Sequence, residues 1–548
     1  MEQKEFNLLD EPWIRVITAD CQMRTVSLTD ALIQAHTFAD LSGEVAAQNT
    51  AILRLMLTVL HTVFSRVNAE GEASPLEKSS DALKRWKALR DLGRFPEQPI
   101  RRYLEAWHER FYLFHPERPF YQAAGASVGS EYQASKLNGE LSESSNKLKL
   151  FPTRTGEGKG ALSFSEAARW LLYLNGFDDN SSKPKQKGLP APGAGWLGKI
   201  GLIEVVGESL FETLLLNLTL LFDGKILWPE PDRPVWEWEQ AREAERTEIA
   251  LPQNCAGLLT LQSRRILLKR EGDRVTGYAL LGGDFFQREN AFSEQMTLWR
   301  KVEDKKTKQI LFTPRRHDNA RQMWRDFGAI ALAEESDMRP GVVKWIQQLQ
   351  DQRLIPRNKI LCLRTSAVQY GSSDYMAVDS FSDSLSLHGS LLSEAGRRWQ
   401  GRILEQIQKI DEAARCYADF MIRLDKAAGR HEKDFSDLGN LAKKRLYARV
   451  DMPFRAWLEE LDAEQDSDEA DELQMRWQEQ ARGLALALAD EAIRAAGDAA
   501  FVGREIEDRN KKLVHYSSPE AYRYFRRNMY RIYPNIQEEM KGEKEHAE

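Results

Sequence analysis

Three parts of the chain have residue types and spacing that could do chemistry. Gly193–Lys199 spells G-x-x-x-x-G-K, the pattern of a loop that cradles phosphates, with the lysine on the phosphate chain and a following Ser or Thr on magnesium. Ile200 occupies the magnesium position, and a Lys/Pro stretch rather than a strand precedes the run, so the pattern does not read as a nucleotide loop. His317–Asp318 is a single His-Asp pair. A metal-dependent phosphohydrolase needs further His and Asp ligands, and no array at ligand spacing accompanies the pair. His61, His108 and His115 sit among apolar residues and are expected to be structural, each with a hydrogen-bond partner. The four cysteines, Cys21, Cys255, Cys362 and Cys416, are too scattered for a zinc site or a disulfide framework. H-E-x-x-H is absent from the sequence. The expectation is a binding protein rather than an enzyme, with no metal and no cofactor.

What the chain could bind is a question of charge. It has 548 residues, with 83 acids against 77 bases and a net charge of -6. That balance excludes a globally basic nucleic-acid coat and leaves local patches as the only route to such a ligand. Ser181–Gly201 is one such patch, with four lysines, five glycines, three prolines and no acid. A loop of that composition brings backbone close to a ligand and holds positive charge there. Lys443, Lys444, Arg445 and Arg449 form a second basic face, and Tyr522–Arg531 interleaves aromatics with four arginines. Snorkelling arginines on a packed helix fit the latter equally well. Between Glu459 and Glu472 nine of fourteen residues are acidic, which reads as a solvated turn that would repel phosphate.

Two architectures position these groups. Residues 1–385 alternate strands with helices and carry many irregular loops, an α+β body. Trp13–Thr18 and Met23–Val26 read as strands, and Thr29 starts a helix by its cap chemistry. Gly43–Val63 reads as an amphipathic helix; Asp81–Leu92, Ile100–Arg110, Ser163–Asn175 and Leu210–Phe222 read as further helices. Strands follow over 257–282 and Lys359–Arg364, the latter leading into a hairpin with its tip at Gly371–Asp374. Residues 386–548 are almost wholly helical. Leu392, Ala395, Trp399 and Ile403 open a three/four periodicity that runs to Leu424, one helix of about forty residues or ~57 Å. Gly429 ends it, Gly497 ends a later helix, and Ser518–Pro519 opens the last. The expected arrangement is an antiparallel four-helix bundle. The apolar stretches 45–64 and 202–222 carry charged residues that suit a core better than a bilayer, and the first residues lack an apolar leader. A cytoplasmic protein with no membrane partner is expected.

Three segments carry a family resemblance. Phe6-Asn-Leu-Leu-Asp-Glu-Pro-Trp-Ile14 resembles the start of the CasA family, the large subunits of the type I-E CRISPR complex Cascade. Phe114-His-Pro-Glu-Arg-Pro-Phe-Tyr121 is similar to that family's N-H-x-E-x-P-F segment, and Glu289–Trp299 is similar to the matching stretch of its members. The likeness extends along essentially the whole chain. It implies a non-catalytic subunit that checks the protospacer-adjacent motif (PAM) of duplex DNA, helps open the duplex, steadies the R-loop and helps recruit the helicase–nuclease. The implied partners are CRISPR RNA, the other Cascade subunits, double-stranded target DNA and that helicase–nuclease.

The resemblance also implies site residues. The family's glycine-rich minor-groove loop falls at Gln186–Leu189, where Gly188 matches and Lys185 and Lys187 add charge. Its wedge hairpin falls at Ser372, Ser373 and Asp374, with Tyr375 beside them. Its lysine finger falls near Asp284, a departure for which Arg288 or Lys269 could substitute. The loop that meets the guide-RNA handle and the backbone subunit falls near Lys147–Lys159, with Phe151 and Arg154 as candidates. Arg288, Lys444, Arg445 and Arg449 are candidates for steadying the displaced strand. Two other readings compete: a divergent metal nuclease built on His317 and Asp318, and a helical adaptor whose basic loops are plain surface.

Overall fold

The helix Ala46–Phe64 organises the first part of the molecule. In the computed structural model, which describes residues 4–143, 148–177, 183–184, 186–240, 246–332, 338–371, 377–430, 435–507 and 511–534, it is buried on almost every side. The sequence reads it as amphipathic. The difference arises because Phe164–Phe177, Cys255–Leu259, Leu210–Asn217 and Glu97–Ala106 all pack against it, so no face is left for solvent. Its polar residues must therefore find partners inside. Arg54 finds Glu294, and the Thr58 and Thr62 hydroxyls donate to the carbonyls of Arg54 and Thr58 at 2.8 Å. Others do not: Gln48 Nε2, Thr50 Oγ1 and both ring nitrogens of His61 lack a hydrogen-bond partner. The expectation of a partnered histidine is corrected here, whereas His108 does meet Asp10 at 2.8 Å and His115 accepts two backbone N–H groups.

Small sheets surround this core. Ile14–Thr18 lies between Met23–Val26 and Phe38–Leu41, antiparallel to both. The hairpin Arg264–Glu271 and Arg274–Gly282 extends onto Ser130–Gln133 and Leu162–Ser163. Ile360–Tyr370 lies between Ala377–His388 and Glu204–Val206. Sheets this small, without repeated βαβ units, belong to the α+β class. Local corrections have local causes. Ser27, not Thr29, caps the first helix, because its hydroxyl accepts the Asp30 N–H at 3.1 Å. The helix begun at Leu210 stops at Asn217, whose side-chain amide turns back onto Val205 in the neighbouring strand. The stretch read as strand from 257 opens instead with the short helix Cys255–Leu259, capped by Asn254.

The chain divides into two compact units, one of residues 1–319, 334–356 and 361–384, the other of 320–333, 357–360 and 385–548. The C-terminal region is helical. Its long helix is Arg397–Ala428, 32 residues rather than about forty. The shortfall lies at its start, where Gly389–Leu392 and Glu394–Gly396 wind as 3-10 turns tied by Ser393 Oγ to Ser390 O and by the Gln400 amide to Leu391 O, both at 2.7 Å. Gly429 ends the helix at φ 75°, a conformation in which only glycine is at ease. Ser436–Glu460, Ser467–Ala496 and Ser518–Ile532 pack against this helix. Phe454, Trp457 and Trp477 form an aromatic core, joined by Trp324 with its ring 4.5 Å from Phe454 and its Nε1 on Asp451. Among the described residues no helix is long and apolar enough to cross a membrane.

The unpartnered His61 makes stability depend on pH. Burial pushes its pKa from 6.5 down to about 3. Between those values an unfolded chain binds a proton at His61 and the folded one does not, so acid favours unfolding. The contribution is fully present above pH 6.5 and is lost towards pH 3, at up to about 1.4 kcal/mol per pH unit. Denaturant titrations of His61→Leu between pH 7 and pH 4 should show a shallower decline than the parent. Parallel profiles would mean that the imidazole is not held neutral.

Candidate nucleic-acid interface

The acid-free loop is anchored at its root and open at its tip. At the tip, Leu189 N–H bonds Gln186 O at 3.3 Å, and Gly188 turns at φ 84° with open space where a side chain would stand. Lys187 is exposed beside it. Lys185 lies outside the described residues. At the root, the run spelling G-x-x-x-x-G-K forms an irregular segment and the 3-10 turn Leu197–Lys199, with no strand before it and no α-helix after. Gly198 is required for another reason: a Cβ there would strike the Tyr370 hydroxyl. Trp196 fixes the root most firmly. Its Nε1 donates to Glu294 Oε2 at 2.7 Å, and Arg54 meets both oxygens of that carboxylate at 2.9 Å. Burial alone would push the Glu294 carboxyl up. The Arg54 charge and the bonds from Arg54 and Trp196 outweigh it and hold it below the usual carboxylate range.

Cations gather at the root of the loop. Arg246 donates to Pro190 O at 2.9 Å and lies 4.0 Å over the Phe285 ring. Arg264 donates to Ser263 O at 2.6 Å and to Gly193 O. Both are buried. Lys199 shares their pocket, and Arg288 and Arg316 add to the positive field on it. Sequence reasoning missed Arg246 and Arg264. The signal available was the pair of consecutive arginines, Arg264–Arg265, within the stretch 257–282 read as strands. Asp284, near which the family's lysine finger is expected, is fully buried and paired with Arg265 at 2.6 Å. Lys269 pairs with Glu131 at 2.5 Å, while Arg288 is half exposed and 3.5 Å from Glu289.

The remaining candidates are distributed. Ser372, Ser373, Asp374 and Tyr375 lie outside the described residues, but the strands that lead to them are well held. Tyr370 donates from its hydroxyl to Phe177 O at 2.5 Å, and Arg364 pairs with Asp40 and with Glu204. Phe151 is 92% exposed, next to Leu150 at 92%, an uncovered apolar tip. Arg154 is drawn down beside that tip, 2.7 Å from Glu166 and 3.7 Å from Glu140. In the helical unit Lys444 and Arg445 are exposed, and Arg449 pairs with Glu491 at 2.7 Å. Arg523, Arg526, Arg527 and Arg531 are exposed while Phe525, Met529 and Ile532 face the core, so that helix presents a basic outer face. Among the described residues no group of three His, Cys, Asp or Glu could hold a metal; His317 bonds Leu202 O at 2.8 Å.

A family model described as CRISPR-associated protein Cse1 matches residues 7–488. The chain belongs to this Cse1, or CasA, family, that of the large subunit of type I-E Cascade. The CasA/Cse1 protein of Thermus thermophilus is 32% identical over 333 residues, which span 60% of this chain and 60% of that relative's length. The Cse1 crystal structure from Thermobifida fusca matches with a TM-score of 0.80 at 28% identity, over 97% of this chain and 98% of that one. A chain of a structure titled CRISPR RNA-guided surveillance complex matches with a TM-score of 0.66 at 17% identity, over 96% of this chain and 100% of that one, a likeness of fold. One buried carboxylate, Glu294, is among the groups that hold the root of the loop, through Trp196. Replacing Glu294 by Gln leaves the Arg54 charge buried without its counter-charge, at a cost of about 3 kcal/mol or more. A urea titration of E294Q should show a clearly lower midpoint, and an unchanged midpoint would mean that the ion pair does not brace the loop.

Proposed function

We propose that this chain acts as the non-catalytic large subunit of a cytoplasmic, RNA-guided CRISPR complex and reads the PAM of double-stranded target DNA. In this reading it also helps open the duplex, steadies the R-loop and helps recruit the helicase–nuclease. CRISPR RNA and the other Cascade subunits are its partners. The observation that carries the reading is the loop at 186–189. It has an exposed Lys187 and an unobstructed Gly188 backbone, and its root is held by Arg246 and Arg264, in a member of the Cse1 family. Such a loop suits the minor groove, where few base pairs are distinguished and backbone approach matters more than side-chain readout. Guide pairing then supplies the sequence specificity while protein reads a short tag, a logic described for another effector class.

The other parts take supporting roles. Residues 1–385 form the PAM-reading and docking part, and 386–548 read as an antiparallel four-helix bundle built from the four long helices. Ser372, Ser373 and Asp374 form the wedge that separates base steps. Phe151, with Arg154 bracing its loop through Glu166, docks against the guide handle and the backbone subunit. Arg288, Lys444, Arg445 and Arg449 attract the displaced strand. The acidic run 459–472 spans the end of Ser436–Glu460, the turn after it and the first residues of Ser467–Ala496, and would face away from nucleic acid.

Two measurements on the reconstituted complex test these assignments. Replacing Lys185 and Lys187 with alanine should weaken binding to a PAM-bearing duplex and flatten the log–log salt dependence by ~0.9 per lost phosphate contact. Unchanged affinity and slope would remove the loop from the interface. Phe151→Ala should weaken incorporation of the subunit about tenfold or more, as loss of an exposed aromatic anchor does. Incorporation at the parent level would show that the apolar tip docks nothing.

A further inference from the structure

The pocket at the root of the loop has a composition that the PAM-reading role does not by itself require. Its lining includes Gly193, Trp196, Lys199, Arg246, Arg264 and Phe285. Three cationic side chains converge there. The two arginines also brace the loop, through Pro190 O and Gly193 O. Among the described lining residues one is a carboxylate, Asp284, whose Oδ1 pairs with Arg265 in a fully buried contact, and the Glu248 carboxylate also acts on Arg246. Lys199 stands at the end of the Leu197–Lys199 turn, half-buried, and the groups that act on it most strongly after burial itself are Arg264, Arg246, Arg288 and Arg316. Burial and these like charges push its ammonium pKa down to about 7.

Gathering like charges in a partly buried place costs free energy, which an entering anion would offset. The cavity, about 10 Å³, limits that anion's size. Such a volume admits roughly one water-sized atom. It cannot hold a nucleotide or a free triphosphate, but it can take one non-bridging oxygen of a phosphodiester resting at its mouth. We propose that Lys199, with Arg246 and Arg264, forms a seat for a single phosphodiester of the target DNA strand that passes the 186–189 loop. This deepens the PAM-reading assignment and rests on it. The seat fixes the register of the strand so that the Gly188 backbone meets the groove at one base step.

The test uses the assembled complex, its guide RNA and a PAM-bearing duplex. With an amine acylating reagent at neutral pH, read out by peptide mass spectrometry, Lys199 should be modified in the DNA-free complex and protected once the duplex is added. The Lys199→Met complex should bind the duplex about tenfold more weakly or worse, as loss of a charged hydrogen bond does. Its log–log salt slope should be smaller by ~0.9, and Lys199→Arg should restore it. If the parent complex binds the duplex while Lys199 stays unprotected and Lys199→Met keeps the parent slope, the seat is wrong and the PAM-reading role stands. Full protection by guide RNA before any DNA is added would assign the phosphate to the RNA and overturn the proposal. Failure of the parent complex to bind the duplex would instead sink the PAM-reading role itself.

Discussion

A buried ion pair, Arg54 with Glu294, is the constraint on which the arrangement of the first unit depends. The helix that carries Arg54 is enclosed by its neighbours, so the guanidinium has no route to water. Its partner comes from 240 residues away and has to be brought in by the folding of everything between. The Trp196 indole uses the same carboxylate. One charge therefore ties together the central helix, the segment around residue 294 and the root of the basic loop. A buried pair of this kind adds little net stability over an apolar core of the same volume. Its value is in position, since any register other than the native one leaves a charge unpaired.

The same economy governs the distribution of charge over the surface. Many basic side chains that composition alone would count towards nucleic-acid binding are already engaged. Arg154 answers Glu166, Arg364 answers Asp40 and Glu204, and Arg449 answers Glu491. The near balance of acids and bases in the whole chain reflects these local neutralisations. Net positive field survives where acids are missing from the neighbourhood or are committed elsewhere, as Asp284 is to Arg265. The loop from 183 to 201 is such a place.

The features legible in the sequence were those with local causes. Gly429 and Gly497 mark helix ends because a left-handed residue is needed at that spot whatever lies around it. The strand–turn–strand at Ile14–Val26 and the helical character after residue 397 follow from periodicity. Non-local features were not legible. Gln48, Arg54 and His61 look like the polar edge of an amphipathic helix, because nothing in the neighbouring residues announces that other helices cover that edge. The cationic pocket joins residues 47 and more positions apart, Lys199 with Arg246 and Arg264. The G-x-x-x-x-G-K run pointed at phosphate chemistry but to a strand-and-helix setting that the structure lacks. The expected loop at Gln186–Leu189 has a glycine at positive φ, Gly188, at its tip.

The interleaving of the chain between its units also sets a timetable for synthesis. Trp324 belongs with the helical unit, yet its indole rests on Phe454 and donates to Asp451, 127 residues downstream. A ribosome adds about 5–20 residues each second, so on the order of ten seconds pass between the emergence of that tryptophan and the arrival of its cover. For that interval a large aromatic side chain is exposed in the nascent chain. The helical unit cannot close the core around Trp324 until residues 451–454 have been made.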